Sequence, residues 1–250
     1  MPRFFIRQEQ VCDNKIRIMG DDARHISFSL RMAVGDSVTV CDMQGVEYDC
    51  EIIGFSEGEV QLGIRSSKKS ENEPRVNITL YQALPKGDKL DSVIQKAVEC
   101  GVSKIVPFES ERCIVRIKSD AEDKKRVRRC RIAEEASKQC GRSIIPEVTL
   151  PVSFDKMLEG AKKSDVCIFC YEGEGTVPLG KILSQLSLEK KECDFEVCVV
   201  VGSEGGFSIN EAERARECGF FLAGLGKRIL RTETAPIFVL SSIVCFSELV

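Results

Sequence analysis

Two glycine-rich segments near the carboxyl end of the chain carry the residues best suited to hold a ligand. The first, 202–208, reads Gly-Ser-Glu-Gly-Gly-Phe-Ser and follows the apolar run Val199–Val201. Glycines placed after a β-branched run let the main chain turn sharply and approach a ligand closely. The second segment, 225–235, reads Leu-Gly-Lys-Arg-Ile-Leu-Arg-Thr-Glu-Thr-Ala. One such loop could be a tight strand-to-helix turn, but two of them predict a small-molecule pocket.

Helix-start signals follow both segments. Ser208 and Glu211 have the spacing of a capping box, so a helix is predicted to begin at about Ser208. Thr232 or Thr234 can cap the last helix, and Pro236 lies in its first turn, where a missing N–H is tolerated. Both glycine segments therefore end at the start of a helix.

Arg231 is the charged residue that this arrangement singles out. It lies just before a helix amino end, where a cation is unfavourable unless something anionic or electron-rich is held there. The alternative is an ion pair with Glu233 or Glu204. The phosphate-binding patterns GxxxxGK[S/T] and GxGxxG after an early strand are missing from the chain, which disfavours a nucleoside triphosphate or a dinucleotide.

The two segments and several upstream ones resemble the ribosomal RNA small subunit methyltransferase E family, within the SPOUT superfamily of knotted methyltransferases. The upstream segments that carry the resemblance are 2–5, 25–36, 86–91, 95–102 and 134–142. Together they cover essentially the whole chain in family order. The chain departs from the family at Ser203, where proline is usual, and at Cys100, where leucine is commoner. The first departure predicts a looser glycine loop.

The resemblance implies an α/β fold in which a C-terminal SPOUT-type trefoil-knotted domain with a mainly parallel sheet follows a small N-terminal PUA-like β-barrel that binds RNA. It implies methyl transfer from S-adenosylmethionine to N3 of a specific uridine in the 16S rRNA of the small ribosomal subunit. It also implies a homodimer with each active site where two subunits meet. No metal is needed for such an in-line displacement, which depends on positioning and on stabilising developing charge.

The resemblance also assigns roles to residues. Arg231 is expected to stabilise the negative charge that spreads over the uracil oxygens, with Arg3 or Arg31, from either subunit, as alternatives. No residue stands out as the base; Glu204 is possible, but a role in holding the glycine loop or capping a helix fits better. Cofactor contact is assigned to residues at the ends of strands and in the two loops: Leu84, Tyr171, Glu172, Val201, Gly202, Glu204, Gly205, Gly206, Leu225, Gly226, Ile229, Leu230 and Thr234. RNA contact is assigned to Arg3, Arg7, Arg24, Arg31, Lys68, Lys69, Arg126, Arg128 and Arg129.

The distribution of charge along the chain supports an RNA substrate, although the net charge does not. The chain has a formal net charge of −3, whereas a general phosphate binder is expected to be basic. The stretch 112–142, however, contains eleven basic residues and five acidic ones. This stretch is a candidate phosphate-facing patch. The alternative is an ordinary solvated helix face with ion pairs.

Composition indicates a cytoplasmic protein with reduced thiols. No segment approaches the roughly twenty apolar residues of a membrane span, and the first residues lack the layout of a signal peptide. The 13 cysteines are scattered and suit small core residues. The pair Cys167 and Cys170 is predicted to lie in a buried strand, not in a metal site. The single histidine, His25, is expected to be structural and near the start of a strand.

The order of elements predicts two domains, 1–70 and 75–250, joined by a polar linker at 66–74. Short strands in the first domain suggest a small β-barrel, and alternating strands and helices in the second suggest a mainly parallel sheet. The predicted strands are 37–41, 46–53, 76–84, 104–108, 165–171 and 196–201, and the predicted helices are 88–100, 124–140, 178–186, 211–218 and 235–249.

Two other functions are compatible with parts of this pattern. A non-catalytic protein of the same fold could bind RNA or the ribosome, but it would be expected to lack Arg231 or the glycines, which are present. A doubly wound enzyme with a nucleotide cofactor would be expected to carry a phosphate-binding fingerprint, which is missing.

Overall fold

The computed structural model describes residues 1–117, 119–187 and 194–249, and it divides the chain into two compact units. Unit 1 comprises Met1–Glu73 and Ser137–Ile145, and unit 2 comprises Pro74–Ala136 and Pro146–Val250. The division into domains at 1–70 and 75–250 stays a prediction about which parts fold separately. By contacts, unit 1 also takes in the segment 137–145.

Unit 1 is built on a six-stranded sheet with the strand order β1-β4-β5-β6-β3-β2. In Lys15–Met19 buried and exposed residues alternate, so Ile16 and Ile18 point into one apolar core with Phe4 and Val38. The strands are β1 (Arg3–Phe5), β2 (Val11–Cys12), β3 (Lys15–Met19), β4 (Ser37–Cys41), β5 (Val46–Ser56) and β6 (Glu59–Lys69). The register between β5 and β6 shifts twice, as at β-bulges, which bend a strand.

One prediction for unit 1 is wrong, and a second holds only in part. His25 lies not near a strand start but in a π-helical stretch, His25–Ser29, that continues α1 (Gly20–Arg24), with its ring edge-on to that of Phe4. The predicted linker 66–74 contains the boundary between the two units, at Glu73 and Pro74, but much of it is structured. Its first four residues belong to β6, and its Glu73 carboxylate forms an ion pair of 2.7 Å with Arg142 and accepts the backbone N–H of Ser143. The segment therefore pairs with β5 through residues 66–69 and with 137–145 through Asn72 and Glu73.

Unit 2 contains a second sheet, with the order β10-β8-β7-β13-β11-β14-β12 and β9 beside β8. Its strands are β7 (Asn77–Ala83), β8 (Lys104–Glu109), β9 (Glu147–Val148), β10 (Val152–Ser153), β11 (Val166–Cys170), β12 (Val177–Pro178), β13 (Glu196–Val201) and β14 (Phe221–Gly224). Every strand pair described in this sheet is parallel, which confirms the predicted α/β class. β13 is paired to β7 on one side and to β11 on the other, so the carboxyl ends of these strands meet at one edge.

The helices of the remaining chain are α2 (Lys89–Glu99), α3 (Ser119–Cys140), α4 (Phe154–Ala161), α5 (Leu179–Leu186), α6 (Ile209–Glu217) and α7 (Ala235–Glu248). The capping box at Ser208 is confirmed, with the Ser208 hydroxyl accepting the N–H of Glu211. Helix α4 was not predicted, although Ser153 caps its start. Over the residues that the structure describes, no helix is long and apolar enough to cross a membrane.

Candidate functional site

A cavity of about 810 Å³ opens where the carboxyl ends of β11, β13 and β14 meet. Ligands of open parallel sheets bind at this edge, and the volume lies in the range of small-molecule sites. The lining includes all the residues assigned to cofactor contact except two, together with Arg231. The two exceptions, Leu84 and Thr234, lie outside this lining in the described structure.

The glycine loop forms one wall of the cavity through a tight turn. The Gly206 N–H donates to the Ser203 carbonyl at 2.9 Å, and Gly206 has a φ of +63°, which favours glycine. A Cβ atom at Gly205 would lie 2.9 Å from the Cβ of Arg112, and the Arg112 guanidinium donates to the Gly205 carbonyl at 3.2 Å. The backbone of the loop is therefore packed closely on Arg112, which sequence reasoning had counted only toward the basic stretch.

A buried hydrogen-bond network joins the glycine loop to the loop that carries Arg231. Thr232 Oγ1 donates to the Gly202 carbonyl at 2.8 Å, and Gln82 Nε2 donates to Thr232 Oγ1 at 3.1 Å and to the same carbonyl at 3.3 Å. Gln82 is fully buried at the end of β7. Of the two predicted caps of α7, Thr234 lies at the N-cap position without a side-chain capping hydrogen bond, and Thr232 is not the cap, because its side chain serves this network. Asn77 and Thr79 lie on one face of the predicted strand 76–84, whereas Gln82 falls on the face that is otherwise apolar, and that placement is the sequence signal for it.

A charged cluster lies at the mouth of the cavity, on top of the same two loops. The Lys89 ammonium lies 2.8 Å from Glu204 Oε1 and 3.6 Å from Glu233 Oε2. Glu204 also accepts the backbone N–H of Lys86 at 3.2 Å. Partial burial would raise the pKa of Glu204, but the hydrogen bonds from Lys89 and from backbone N–H groups hold it below its usual value. Glu204 is therefore a structural acceptor and a weak base.

Arg231 is fixed through its backbone and not through its side chain. The side chain is exposed and, among the residues that the structure describes, has no hydrogen bond or ion pair, whereas its carbonyl accepts the N–H groups of Thr234 and Ala235 at 2.8 and 3.0 Å. The alternative that Arg231 pairs with Glu233 or Glu204 is wrong, because Lys89 lies against both carboxylates. The backbone fixes Arg231 at the edge of the cavity while its charge stays available.

The basic residues predicted in unit 1 are in two different states. Arg7, Arg24, Arg31, Lys68 and Lys69 are exposed. Arg3 is largely buried, and its guanidinium donates to Glu47 Oε1 and to Cys41 Sγ, both at 2.9 Å. Arg31 has a φ of +51°, an uncommon conformation for a residue with a side chain. The five exposed side chains can therefore contact RNA at the surface, whereas the Arg3 guanidinium is held by the carboxylate of Glu47.

The basic stretch 112–142 is less uniform than its composition suggests. Arg126 is exposed, and Arg128 is exposed while pairing with Asp91 at 2.6 Å. Arg129 is buried, with its guanidinium 3.6 Å from Glu122 Oε2, so the expectation that it lies on a phosphate-facing surface is wrong. Lys118, one of the basic residues counted there, lies outside the described residues.

The cysteine pair behaves as a core feature. Cys167 and Cys170 are buried in β11, as predicted, and burial raises the pKa of the Cys170 thiol to about 12. The part of the chain that the structure describes contains no group of three or more His, Cys, Asp and Glu side chains that could hold a metal ion. Cys193 lies outside the described residues.

Comparison with known proteins assigns the class first. A family model described as an RNA methyltransferase domain matches residues 71–244, and one described as an RNA methyltransferase PUA domain matches residues 18–65. The protein is thus an RNA methyltransferase with an amino-terminal PUA-type domain, as predicted.

Relatives narrow the class to one family. Ribosomal RNA small subunit methyltransferase E of Bacillus subtilis is 34% identical over 254 residues, covering 100% of this chain and 98% of the relative. The protein of that name from Mesomycoplasma hyopneumoniae is 30% identical, covering 98% and 99%. This chain belongs to the ribosomal RNA small subunit methyltransferase E family.

Solved structures agree with this assignment. A ribosomal RNA small subunit methyltransferase E from Neisseria gonorrhoeae bound to S-adenosyl methionine is similar with a TM-score of 0.84 and 29% identity, covering 99% of this chain and 98% of the other. A putative methyltransferase from Legionella pneumophila in complex with the same cofactor has a TM-score of 0.83 and 29% identity, covering 96% of each chain.

Proposed function

We propose that this protein transfers the methyl group of S-adenosylmethionine to N3 of a specific uridine in the 16S rRNA of the small ribosomal subunit. The observation that carries the proposal is the exposed Arg231 guanidinium, without a partner among the described residues, beside a cavity lined by residues of three strand-end loops. The two related structures that hold this cofactor support the identity of the ligand.

The cavity fits a ligand with a neutral ring and a short polar tail. Gly202, Gly205, Gly206 and Gly226 present main-chain groups without side chains in the way, and Gly226 has a φ of +105°. Apolar and polar side chains complete the proposed binding set: Tyr171, Glu172, Val201, Glu204, Leu225, Ile229 and Leu230. When bound, the cofactor supplies an electrophilic methyl group on a sulfonium. Leu84 and Thr234, which lie outside the lining, are proposed to act through the residues that contact the cofactor.

Arg231 supplies the electrostatic part of the proposed mechanism. N3 of uracil is a poor nucleophile until its proton leaves, and the resulting negative charge spreads to O2 and O4. A guanidinium donor placed beside those oxygens stabilises the charge where it develops. Arg31 or Arg3 remain proposed alternatives, although Arg3 would first have to leave Glu47. Glu204 is not proposed as the base, because it is occupied by Lys89 and Lys86.

We propose that RNA is bound by exposed basic side chains of both units. In unit 1 these are Arg7, Arg24, Arg31, Lys68 and Lys69, all in or near the range of the PUA-type domain. On α3 they are Arg126 and Arg128. Because such contacts neutralise phosphates, affinity for RNA should fall as salt rises. The protein is further proposed to act as a homodimer in the cytoplasm, where its substrate subunit resides.

A direct test uses the whole protein, labelled S-adenosylmethionine and small-subunit particles that lack the modification. The expected product is N3-methyluridine at one position of the 16S rRNA, identified by nuclease mapping and nucleoside mass spectrometry. Cofactor binding without any methyl transfer would instead favour the alternative of a non-catalytic RNA-binding protein. Label at another atom or another base would overturn the N3 assignment while leaving the protein an RNA methyltransferase.

The Arg231→Ala variant tests the proposed role of the guanidinium. We expect single-turnover methyl transfer to fall by about 100-fold or more, since loss of one charge-stabilising donor typically costs that much. Affinity for S-adenosylmethionine, measured by calorimetry, should change by less than about threefold. Lys181→Ala on α5, an exposed position outside the cavity lining, is the control. An equal loss of binding and transfer would make Arg231 a binding residue.

A further inference from the structure

We infer that Lys89 is a positioning residue for the proposed methyl transfer, because its ammonium joins the glycine loop to the loop that carries Arg231. The inference rests on the proposed function, and it concerns how the two walls of the cavity are held together. Glu204 belongs to the first loop, and Glu233 lies two residues after Arg231 in the second. Lys89 is the first residue of α2 and contacts both carboxylates.

The three charged side chains form a partly shielded cluster. Their exposed fractions are 33% for Lys89, 30% for Glu204 and 30% for Glu233. Glu233 Oε2 is itself buried and, within the described structure, has no hydrogen-bond partner, so the nearby ammonium is its source of charge compensation. A charge pair sheltered in this way is screened less by salt than an exposed one.

The position of Lys89 in its helix argues for a specific role. The amino end of a helix carries a partial positive charge, so a lysine at the first position of α2 is unfavourable by itself. Lys96, in the last turn of the same helix, is placed where a cation is favoured and pairs with Glu99 at 2.8 Å. The Lys89 side chain instead reaches the carboxylates of Glu204 and Glu233 in the two loops. These ion pairs offset the unfavourable position of a cation at the helix amino end.

Removing the Lys89 ammonium would turn the electrostatic attraction that joins the two loops into repulsion. Glu204 and Glu233 both lie within 4 Å of one nitrogen, so without it two carboxylates would face each other and repel. The buried contacts of Gln82 and Thr232 would still join the loops at the floor of the cavity. The expected result is an intact fold with a widened mouth and a displaced Arg231.

The test compares Lys89→Met with Lys96→Met, which removes an ammonium from the same helix away from the cavity. Single-turnover transfer at saturating cofactor and RNA should fall about tenfold or more for Lys89→Met, because small displacements of positioned groups have effects of this size. Lys96→Met should stay within about twofold of the wild type. Lys89→Arg, which keeps the charge, should recover most of the rate.

A double variant separates positioning from general damage. In Lys89→Met with Glu233→Gln, one of the two facing carboxylates is neutral, so the repulsion disappears and the rate should rise at least threefold above that of Lys89→Met. The inference is wrong if Lys89→Met transfers within twofold of the wild type. It is also wrong if Lys89→Met folds normally and neither Lys89→Arg nor the double variant restores the rate.

Binding of S-adenosylmethionine without RNA distinguishes this inference from the proposed function. A wild-type protein that transfers no methyl group overturns the proposed function alone. In that case the affinity for S-adenosylmethionine still decides the role of Lys89: weaker binding in Lys89→Met, restored in the double variant, supports the bridge between the loops. Unchanged binding in Lys89→Met would overturn it.

Discussion

Ser203 lines the cavity, and its surroundings do not satisfy the hydrogen-bonding capacity of its hydroxyl. The side chain is buried, and among the described residues its hydroxyl has no hydrogen-bond partner. A buried hydroxyl without a partner costs about 1–3 kcal/mol relative to a paired one. The turn from Ser203 to Gly206 forms nevertheless, closed by its backbone hydrogen bond. The departure from the family's usual proline is therefore visible as an unsatisfied group and not as an opened loop.

Replacing Ser203 by alanine should stabilise the protein. Loss of the unpaired hydroxyl should raise the free energy of unfolding by about 1 kcal/mol, which corresponds to a rise in Tm of roughly 2–4 °C for a chain of this size. Thermal unfolding followed by circular dichroism measures the shift. The matched variant Ser208→Ala removes a hydroxyl that is equally buried but caps α6 and donates to Glu111, so its Tm should fall. A lower Tm for Ser203→Ala would contradict the assignment.

At the scale of single residues, the sequence identified which residue types matter but not which of them are free. Arg231 and Arg129 are both arginines in predicted functional segments. The structure leaves the first exposed and without a partner among the described residues, and it buries the second against Glu122. The difference depends on which acidic groups tertiary packing brings near, and local spacing does not encode that. Lys89 was missed for the same reason, since its partners lie more than 100 residues away.

At the scale of elements, strand register brings the parts of the site together. Gln82 pairs with Val201 across β7 and β13, so its side chain reaches the glycine that follows β13. Hydrophobic runs and capping signals predicted β13, α6 and α7 well, because those signals are local. The short strands β9, β10 and β12 could not be predicted, because two-residue pairings depend on the neighbouring strand.

The network of Gln82 and Thr232 is predicted to hold the two loops at the floor of the cavity. Thr232→Val keeps the side-chain volume but removes the donor to the Gly202 carbonyl and the acceptor for Gln82. The free energy of unfolding should fall by about 1–3 kcal/mol, and the affinity for S-adenosylmethionine should fall with it. Urea unfolding and calorimetry measure the two effects. Thr149→Val, whose hydroxyl donates to the adjacent Leu150 carbonyl, is the control and should change both far less. Wild-type stability in Thr232→Val would show that the network contributes nothing.

At the scale of the whole molecule, the knot is expected and the dimer is proposed from the family resemblance, and no local sequence pattern encodes either. A helix whose sequence is apolar nearly all round must be covered on more than one side. In α7 the residues Ala235, Val239, Leu240 and Ile243 are buried within the chain, while Phe238 stays 43% exposed. Before Glu248 the helix carries no charged side chain. Its outward face therefore has the composition of an interface between subunits, as the proposed homodimer requires.

The variant Phe238→Glu tests this proposed interface. A carboxylate buried between two subunits without a partner would be strongly unfavourable, so the variant should sediment as a monomer at concentrations where the wild type sediments as a dimer. Because each proposed active site is completed where two subunits meet, methyl transfer should fall at least tenfold in parallel with the loss of dimer. Ile209→Glu introduces the same charge at a 67% exposed position in the first turn of α6, where a carboxylate is favourable, and should remain dimeric and active. A monomeric wild type would contradict the proposed dimer, and a fully active Phe238→Glu monomer would show that one chain suffices for transfer.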